Sequence, residues 1–236
     1  MLSIIIPAHN EEETIGTTVL GVVTHVKTPH EVIVVADHCS DLTEAIMRAL
    51  MAKFPQIRLV QNDTRKGSFS NAVITGFKEA KGDAIVPVMA DNCDNATTID
   101  RMWTAMQEQQ ADVVCGSRYM KGGQKKGGPI LQNILSRAVC YSLRIFTGIP
   151  TWDCANSYKM YRRTFFETLA YDIPDAGTEY SMALLFRAYR AGGKITEVPT
   201  SWTGEKMPVS QEWKILKRFP GYMYWYNKAI KRKSKD

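Results

Sequence analysis

The 236 residues contain no C-x-x-C spacing: Cys39, Cys93, Cys115, Cys140 and Cys154 are odd in number and scattered. That excludes a zinc cage or a disulfide framework and favours a reducing compartment. The four histidines, His9, His25, His30 and His38, show no metal spacing, and no Ser-His-Asp or Cys-His constellation stands out. Long apolar runs are missing too. The start, MLSIIIPAHNEEE, is cut by Pro7 and three glutamates, so it does not read as a secretory leader. No segment is long and uninterrupted enough to span a bilayer. The expectation is a cytoplasmic chain, soluble or held peripherally on the cytoplasmic membrane face. Internal repeats and low-complexity linkers are also absent.

With 44% hydrophobic and 23% charged residues, the chain has the composition of a globular protein with one substantial core. Its net charge of +6 is concentrated at the end, in Lys228, Lys231, Arg232, Lys233 and Lys235. A basic tail suits an anionic partner such as acidic lipid headgroups or nucleic acid. No recognisable nucleic-acid motif accompanies it, so no nucleic acid is expected. A solvated, frayed end is the plain alternative.

The first half alternates between strand and helix patterns. LSIII, EVIVVA, IRLVQN, DAIVPVMA and ADVVCGS are apolar and rich in β-branched residues, and read as strands. Between them run the helices predicted after Asn10, in DLTEAIMRALMAKF, in SNAVITGFKEAKG and in NATTIDRMWTAMQEQQ. Asn10 is expected to cap the first of these, with Glu11 to Glu13 in its first turn, and Gly82 to close the third. This alternation predicts an α/β fold with a mostly parallel sheet flanked by helices. Its right-handed crossovers bring the strand C-termini to one edge, where ligands bind.

The polar residues collect at that edge. His9, Asn10 and Glu11 follow the first strand, Asp37, His38 and Asp41 the second, Asp91 and Asp94 the fourth, and Arg118 the fifth. Two neighbouring carboxylates repel unless a proton or cation separates them, and Mg²⁺ or Mn²⁺ suits Asp91 and Asp94. Capping a helix that begins near Thr97 is the other use for Asp94 or Asn95. Asp37 can accept N–H bonds from a nucleobase. Arg118 and Lys66 can meet phosphates, although either can be mere surface charge. Glu179 can act as a base or an acceptor contact, or simply favour a helix start.

Beyond residue 120, KGGQKKGG is a flexible cationic loop, and PILQNILSRAVCYSLRIF reads as a helix. Ile130, Leu131, Ile134, Leu135, Ala138, Val139 and Ser142 share one side of it; Asn133, Arg137, Cys140 and Arg144 share the other. EYSMALLFRAYRAGG is a further helix with a glycine stop, and KITEVPT a further strand. The end, EWKILKRFPGYMYWYNKAIKRKSKD, mixes aromatic and basic residues around Pro220.

SIIIPAHNEEETI, EVIVVADHCSDLT, GFKEAKGDAIVPVMADNCD and DVVCGSRYMKGG together resemble family 2 glycosyltransferases of GT-A fold. The chain is most similar within them to dolichyl-phosphate (polyprenyl-phosphate) mannosyltransferases and their bacterial relatives. The likeness continues through SRAVCYSLRIFTGIPTWDCANSYKMYRR, TEYSMALLFRAYRAGGKITEVPTSW and WKILKRFPGYMYWY. It implies a GT-A domain over 1–205 and an aromatic, basic, helical extension over 206–236. It also implies inverting transfer of a hexose, mannose first, from a nucleotide sugar such as GDP-mannose to a polyprenyl phosphate.

Carried over residue by residue, Pro7, Ala8, His9, Glu11, Asp37, Lys66 and Asp91 would form the nucleotide site. Asp91 and Asp94 would hold the metal, Mg²⁺ or Mn²⁺, and Arg118 would join them at the reacting phosphates. Arg137, Asp153, Asn156 and Glu179 would lie on the acceptor side. The chain departs from the pattern in Ala36 before Asp37, in His38 where a glycine is usual, and in D-x-x-D for D-x-D. It also lacks the arginine and glycine expected after VPTSW, where Glu205, Lys206, Met207 and Pro208 stand, with Lys206 as a substitute. A phosphate acceptor is already anionic and needs no strong general base, which agrees with the missing triad. A lipid acceptor needs a bilayer: the helix from Ile130 to Phe146 and the C-terminus either lie in the interface or bury their apolar faces against the sheet. Transfer to a soluble glycan, nucleotidyl transfer and a nucleotide-binding module without catalysis are the rival readings.

Overall fold

The computed structural model describes residues 1–169, 171, 173, 176–204 and 219–231. Its main sheet is built from β1 (Leu2–Ala8), β2 (His30–Ala36), β3 (Ile57–Gln61), β4 (Ala84–Pro87), β5 (Val113–Ser117), β7 (Lys159–Arg162) and β8 (Ile195–Pro199). These lie in the order β3-β2-β1-β4-β7-β5-β8. All pairings are parallel except those of β7, which runs antiparallel between β4 and β5. A second sheet of two parallel strands, β6 (Gln124–Lys126) and β9 (Ser201–Thr203), stands beside it. β6, β7 and β9 are three or four residues long, too short to register as apolar runs in the sequence.

Alternation along the central strands divides the core. Leu2, Ile4 and Ile6 of β1 pack with α1 (Ile15–His25), α2 (Thr43–Met51) and α4 (Thr98–Glu108) on one face. Ile5 of β1 faces α3 (Phe69–Glu79), α5 (Ile130–Thr147), α6 (Arg163–Phe166), α7 (Tyr180–Arg190) and α8 (Phe219–Lys231) on the other. Every residue of β1 is buried, as parallel strands covered on both faces require. In α3 the small residues let the helix come close to the sheet. A Cβ on Gly76 would lie 2.3 Å from Cγ2 of Ile5.

Two local expectations change. α1 begins at Ile15, after a turn in which Thr14 and Ile15 donate to the carbonyl of Glu11. Asn10 is therefore not its cap; it stands at φ 55° and accepts from Ser40 N–H instead. Gly82 does not close α3, which ends at Glu79 with Ala80 as its C-cap. It passes against the start of β1, where a Cβ would come within 2.6 Å of Ser3 N.

The largest departure is α5. Its buried residues are Cys140, Leu143 and Thr147, whereas Ile130, Leu131, Ile134, Ile145 and Phe146 are exposed. The apolar side expected either in an interface or against the sheet is thus largely turned outward. Val139 and Ser142 of that side meet α8, through the hydrophobic cluster and a 3.1 Å bond from Tyr226 Oη to Ser142 Oγ. Of the C-terminal aromatics, Tyr222, Trp225 and Tyr226 pack inward and Tyr224 stays exposed. The boundary drawn at 205/206, Lys206, Trp213 and the last three basic positions of the tail, Arg232, Lys233 and Lys235, lie outside the described residues.

The tight passage of Gly82 and the open surroundings of Gly21 in α1 call for opposite outcomes. Gly82→Ala should destabilise by about 1–3 kcal/mol, as overpacking against backbone does. Gly21→Ala, with nothing within 4 Å of the added Cβ, should gain about 0.5–1 kcal/mol from helix propensity. Urea unfolding of both variants reads the difference; equal midpoints would contradict the packing at Gly82.

Candidate active site

The C-terminal ends of β1, β2 and β3 meet around Asp37. Its backbone N–H donates to Ala8 O (2.8 Å) and its carbonyl accepts from Nδ1 of His9 (2.6 Å). That bond places the His9 proton on Nδ1. One carboxylate oxygen of Asp37 takes the side-chain amide of Asn62 at 2.6 Å, leaving the other oxygen for a ligand donor. Gly67 closes over it so tightly that a Cβ would meet both carboxylate oxygens at 3.0–3.1 Å. Pro7, Ala8, His9, Asp37, Gly67, Ser68, Phe69 and Ala72 line a cleft of about 270 Å³. Lys66, beside it, is exposed, and its carbonyl holds Thr64 and Asn71. His38 stands at φ 52°, a left-handed conformation that glycine adopts without strain.

Glu11 lines an adjoining cleft of about 310 Å³ with Asn10, Glu12, Glu13, Thr14, Ser40 and Asp41. Burial raises the carboxyl of Glu11, the Thr14 hydroxyl offsets part of this, and the charge of Asp91 raises it further. Asp91 thus lies between this cleft and the corner at Asp94.

That corner is electrostatically unusual. Asp94 is half-buried as a residue, yet both of its carboxylate oxygens are sealed from water and accept no hydrogen bond. The backbone N–H of Met89, too poorly placed to count as a full hydrogen bond, acts to lower the pKa of Asp94. Burial first, and the neighbouring Asp91 charge second, push its pKa from 3.8 to about 7. Helix capping does not account for Asp94: Asn95 receives both the N–H and the hydroxyl of Thr97, and α4 starts after Thr97. Asp91 accepts the N–H of Cys93 at 3.1 Å. Two unsatisfied hard oxygens beside a second carboxylate fit a divalent cation. Among the described residues no group of three or more His, Cys, Asp or Glu side chains gathers for a metal, so further ligands would come from diphosphate oxygens and water.

The outer wall of the corner is β9. Trp202 pairs in an antiparallel bridge with Asp94, Thr203 N–H donates to Cys93 O (3.1 Å), and Asn95 bonds Ser201 (3.1 Å). Arg118, past β5, is buried and committed to Asp153. Its Nε and Nη2 reach the two carboxylate oxygens at 2.7 and 2.9 Å, and its backbone N–H adds a third bond at 3.0 Å. Asp153 and Asn156, expected on the acceptor side, are turned inward: Asp153 is fully buried, and the Asn156 amide donates to Gly116 O at 2.8 Å. Both hold the loop before β7. Arg137 is exposed on α5 and lies 5.0 Å from the centre of the Tyr119 ring, which Arg118 also faces at 5.3 Å. Glu179 accepts the N–H of Gly177 at 3.1 Å ahead of α7, and no contact among the described residues joins it to Arg137 or Asp153.

Asn62 and Trp202 escaped the sequence reading. Asn62 stands directly after β3 and so shares the signal that marked Asp37; Trp202 lies in a strand too short to show.

Residues 3–170 match the model of glycosyl transferase family 2, and the chain belongs to that family. It is 30% identical over 206 residues to glycosyltransferase AglD of Haloferax volcanii, covering 85% of this chain and 33% of AglD. It is 28% identical over 212 residues to polyprenol monophosphomannose synthase of Mycolicibacterium smegmatis, covering 88% of this chain and 79% of that protein. The chain thus spans a third of one relative and most of the other. Glucosyl-3-phosphoglycerate synthase of Mycobacterium tuberculosis, solved with Mn²⁺, UDP-glucose and phosphoglyceric acid, superposes with a TM-score of 0.71 at 16% identity, over 96% of this chain and 80% of that one. That likeness establishes the GT-A fold.

Because Asp94 holds its proton in the folded state up to about pH 7, whereas an unfolded aspartate releases it near 3.8, metal-free stability should fall as pH rises through that window. Asp94→Asn removes the buried charge, so at pH 8 in EDTA the variant should melt higher than the parent. Mn²⁺ should raise the melting temperature of the parent and not of the variant. A variant that melts lower in EDTA, or one that Mn²⁺ stabilises equally, would overturn the assignment.

Proposed function

We propose that this chain is an inverting, divalent-cation-dependent glycosyltransferase that moves a hexose, mannose first, from a nucleotide sugar such as GDP-mannose to a polyprenyl phosphate at a membrane surface. The observation that carries the reading is the unsatisfied carboxylate of Asp94 beside Asp91, at the rim where the strands deliver Asp37 and Glu11. A bound Mg²⁺ or Mn²⁺ supplies positive charge against the leaving diphosphate. Asp91 and Asp94 hold it. The free oxygen of Asp37 takes base N–H donors, and His9 fixes the backbone that carries it. Arg118, locked by Asp153, presents the positive end of a buried ion pair near the corner in a dry setting, where fixed dipoles act most strongly on a developing anion.

Several relatives support the acceptor. Proteins named polyprenol monophosphomannose synthase and undecaprenyl-phosphate mannosyltransferase are each 28% identical to this chain. The Mn²⁺ and UDP-glucose bound by the mycobacterial neighbour of the same fold support the cation and the donor class. The outward stripe of α5 supports the membrane. No helix of the described residues is long and apolar enough to cross one, but Ile130, Leu131, Ile134, Ile145 and Phe146 give α5 an apolar face for lying on it, with Arg137 beside them.

With GDP-[¹⁴C]mannose, Mn²⁺ and vesicles containing polyprenyl phosphate, label should pass into the organic phase. Asp91→Ala and Asp94→Ala should each lower the rate by about 100-fold or more. Label that remains aqueous with every metal sinks the polyprenyl acceptor, and full turnover by either variant sinks the metal assignment.

Two charges on the α5 stripe, Ile134→Glu with Ile145→Glu, should weaken vesicle binding by about tenfold or more, since each buried aliphatic side chain is worth about 1.5–3 kcal/mol. Unchanged co-sedimentation with vesicles would place the membrane contact elsewhere.

A further inference from the structure

The β6–β9 pair carries a cation that the proposed reaction leaves unused. Lys125 is opposite Trp202 in the register of the pair, with its ammonium 5.1 Å from the indole centre. The indole sits in a slot kept clear by glycines: a Cβ on Gly204 would lie 2.1 Å from the ring and one on Gly128 3.2 Å from it. Gly122 and Gly127 bound β6 with φ of 88° and 76°, so the strand leaves and rejoins the chain through left-handed turns. The same tryptophan is bridged through its backbone to Asp94. Lys125 is therefore tied, across one strand, to the acidic corner.

Among the described residues its surroundings are short of negative charge. Arg118 and Arg137 repel the ammonium, while Asp153 attracts it. Both oxygens of Asp153 are already taken by Arg118. Among the described residues three cations thus face one buried carboxylate, a surplus of two positive charges carried by half-buried Lys125 and exposed Arg137. Burial first, then the two guanidiniums, pull the Lys125 ammonium down to about 8. Crowding like charges out of water is costly unless an anion completes the set. A phosphate monoester, which carries about −1.5 to −2 near neutral pH, matches the surplus, whereas a singly charged diester does not.

We infer that Lys125, steadied over Trp202, is a specificity-determining residue that with Arg137 receives the dianionic monoester phosphate of the acceptor. The inference rests on the polyprenyl-phosphate reading above and adds to it the residue that selects the charge state.

Isothermal titration of the full chain with farnesyl phosphate, a soluble polyprenyl monophosphate, tests it. Lys125→Gln and Lys125→Met should each weaken binding by about tenfold or more, the loss of one charge-assisted contact. Lys125→Arg should restore most of it. Binding of GDP with Mn²⁺, measured in parallel, should be unchanged in all three, which also shows that they fold. Parent-like affinity in both neutral variants would overturn the role of Lys125 while leaving the proposed reaction intact. If the parent binds GDP with Mn²⁺ but not farnesyl phosphate, the acceptor reading fails and this inference with it. Equal affinity for inorganic phosphate and farnesyl phosphate would reveal a free-phosphate site and overturn the acceptor role.

Discussion

A carboxylate kept from water with no partner is the constraint around which this molecule is arranged. Asp94 has two unsatisfied oxygens and a like-charged neighbour in Asp91. Folding tolerates this because β9 and α4 are anchored on either side of it, by backbone bonds that do not depend on the charge. A site of this kind is destabilised when empty and gains when a hard cation arrives.

The buried pair of Arg118 and Asp153 plays the complementary part. It joins the end of β5 to the loop before β7, and it fixes a guanidinium near the acidic corner without neutralising that corner. Among the described residues one carboxylate faces the neighbouring cations, so this side of the rim is left positive just as the Asp91–Asp94 side is left negative. Two opposite imbalances, separated by the strand that carries Trp202, suit a reaction that brings a metal-bound diphosphate to an anionic acceptor. The scaffold reaches this by charge placement.

α5 links that rim to its surroundings. A helix on a soluble domain normally turns its apolar stripe inward. Here the inward positions are Cys140, Leu143 and Thr147, and much of the larger aliphatic surface faces out. α8 covers the edge of that side at Val139 and Ser142, using Tyr222, Trp225 and Tyr226 as packing rather than as surface anchors. An aromatic, basic segment and an apolar helix thus exchange the roles their compositions suggest.

The alternating strands and helices, the parallel sheet and the rim bearing Asp37, Asp91, Asp94 and Arg118 were legible in the sequence by itself. They rest on local propensity and on the two-residue and 3.6-residue periods, which a single chain segment displays without its neighbours. The tertiary structure alone decided that Asp94 is dry and unpartnered, that Arg118 is claimed by Asp153, 35 residues away, and that the stripe of α5 faces outward. Each of these depends on what a distant segment brings alongside: β9 against residues 93–95, the loop before β7 against β5, α8 against α5. Periodicity shows that a helix has an apolar side. Which side is covered depends on its packing partners, and those are set by the topology of the whole sheet.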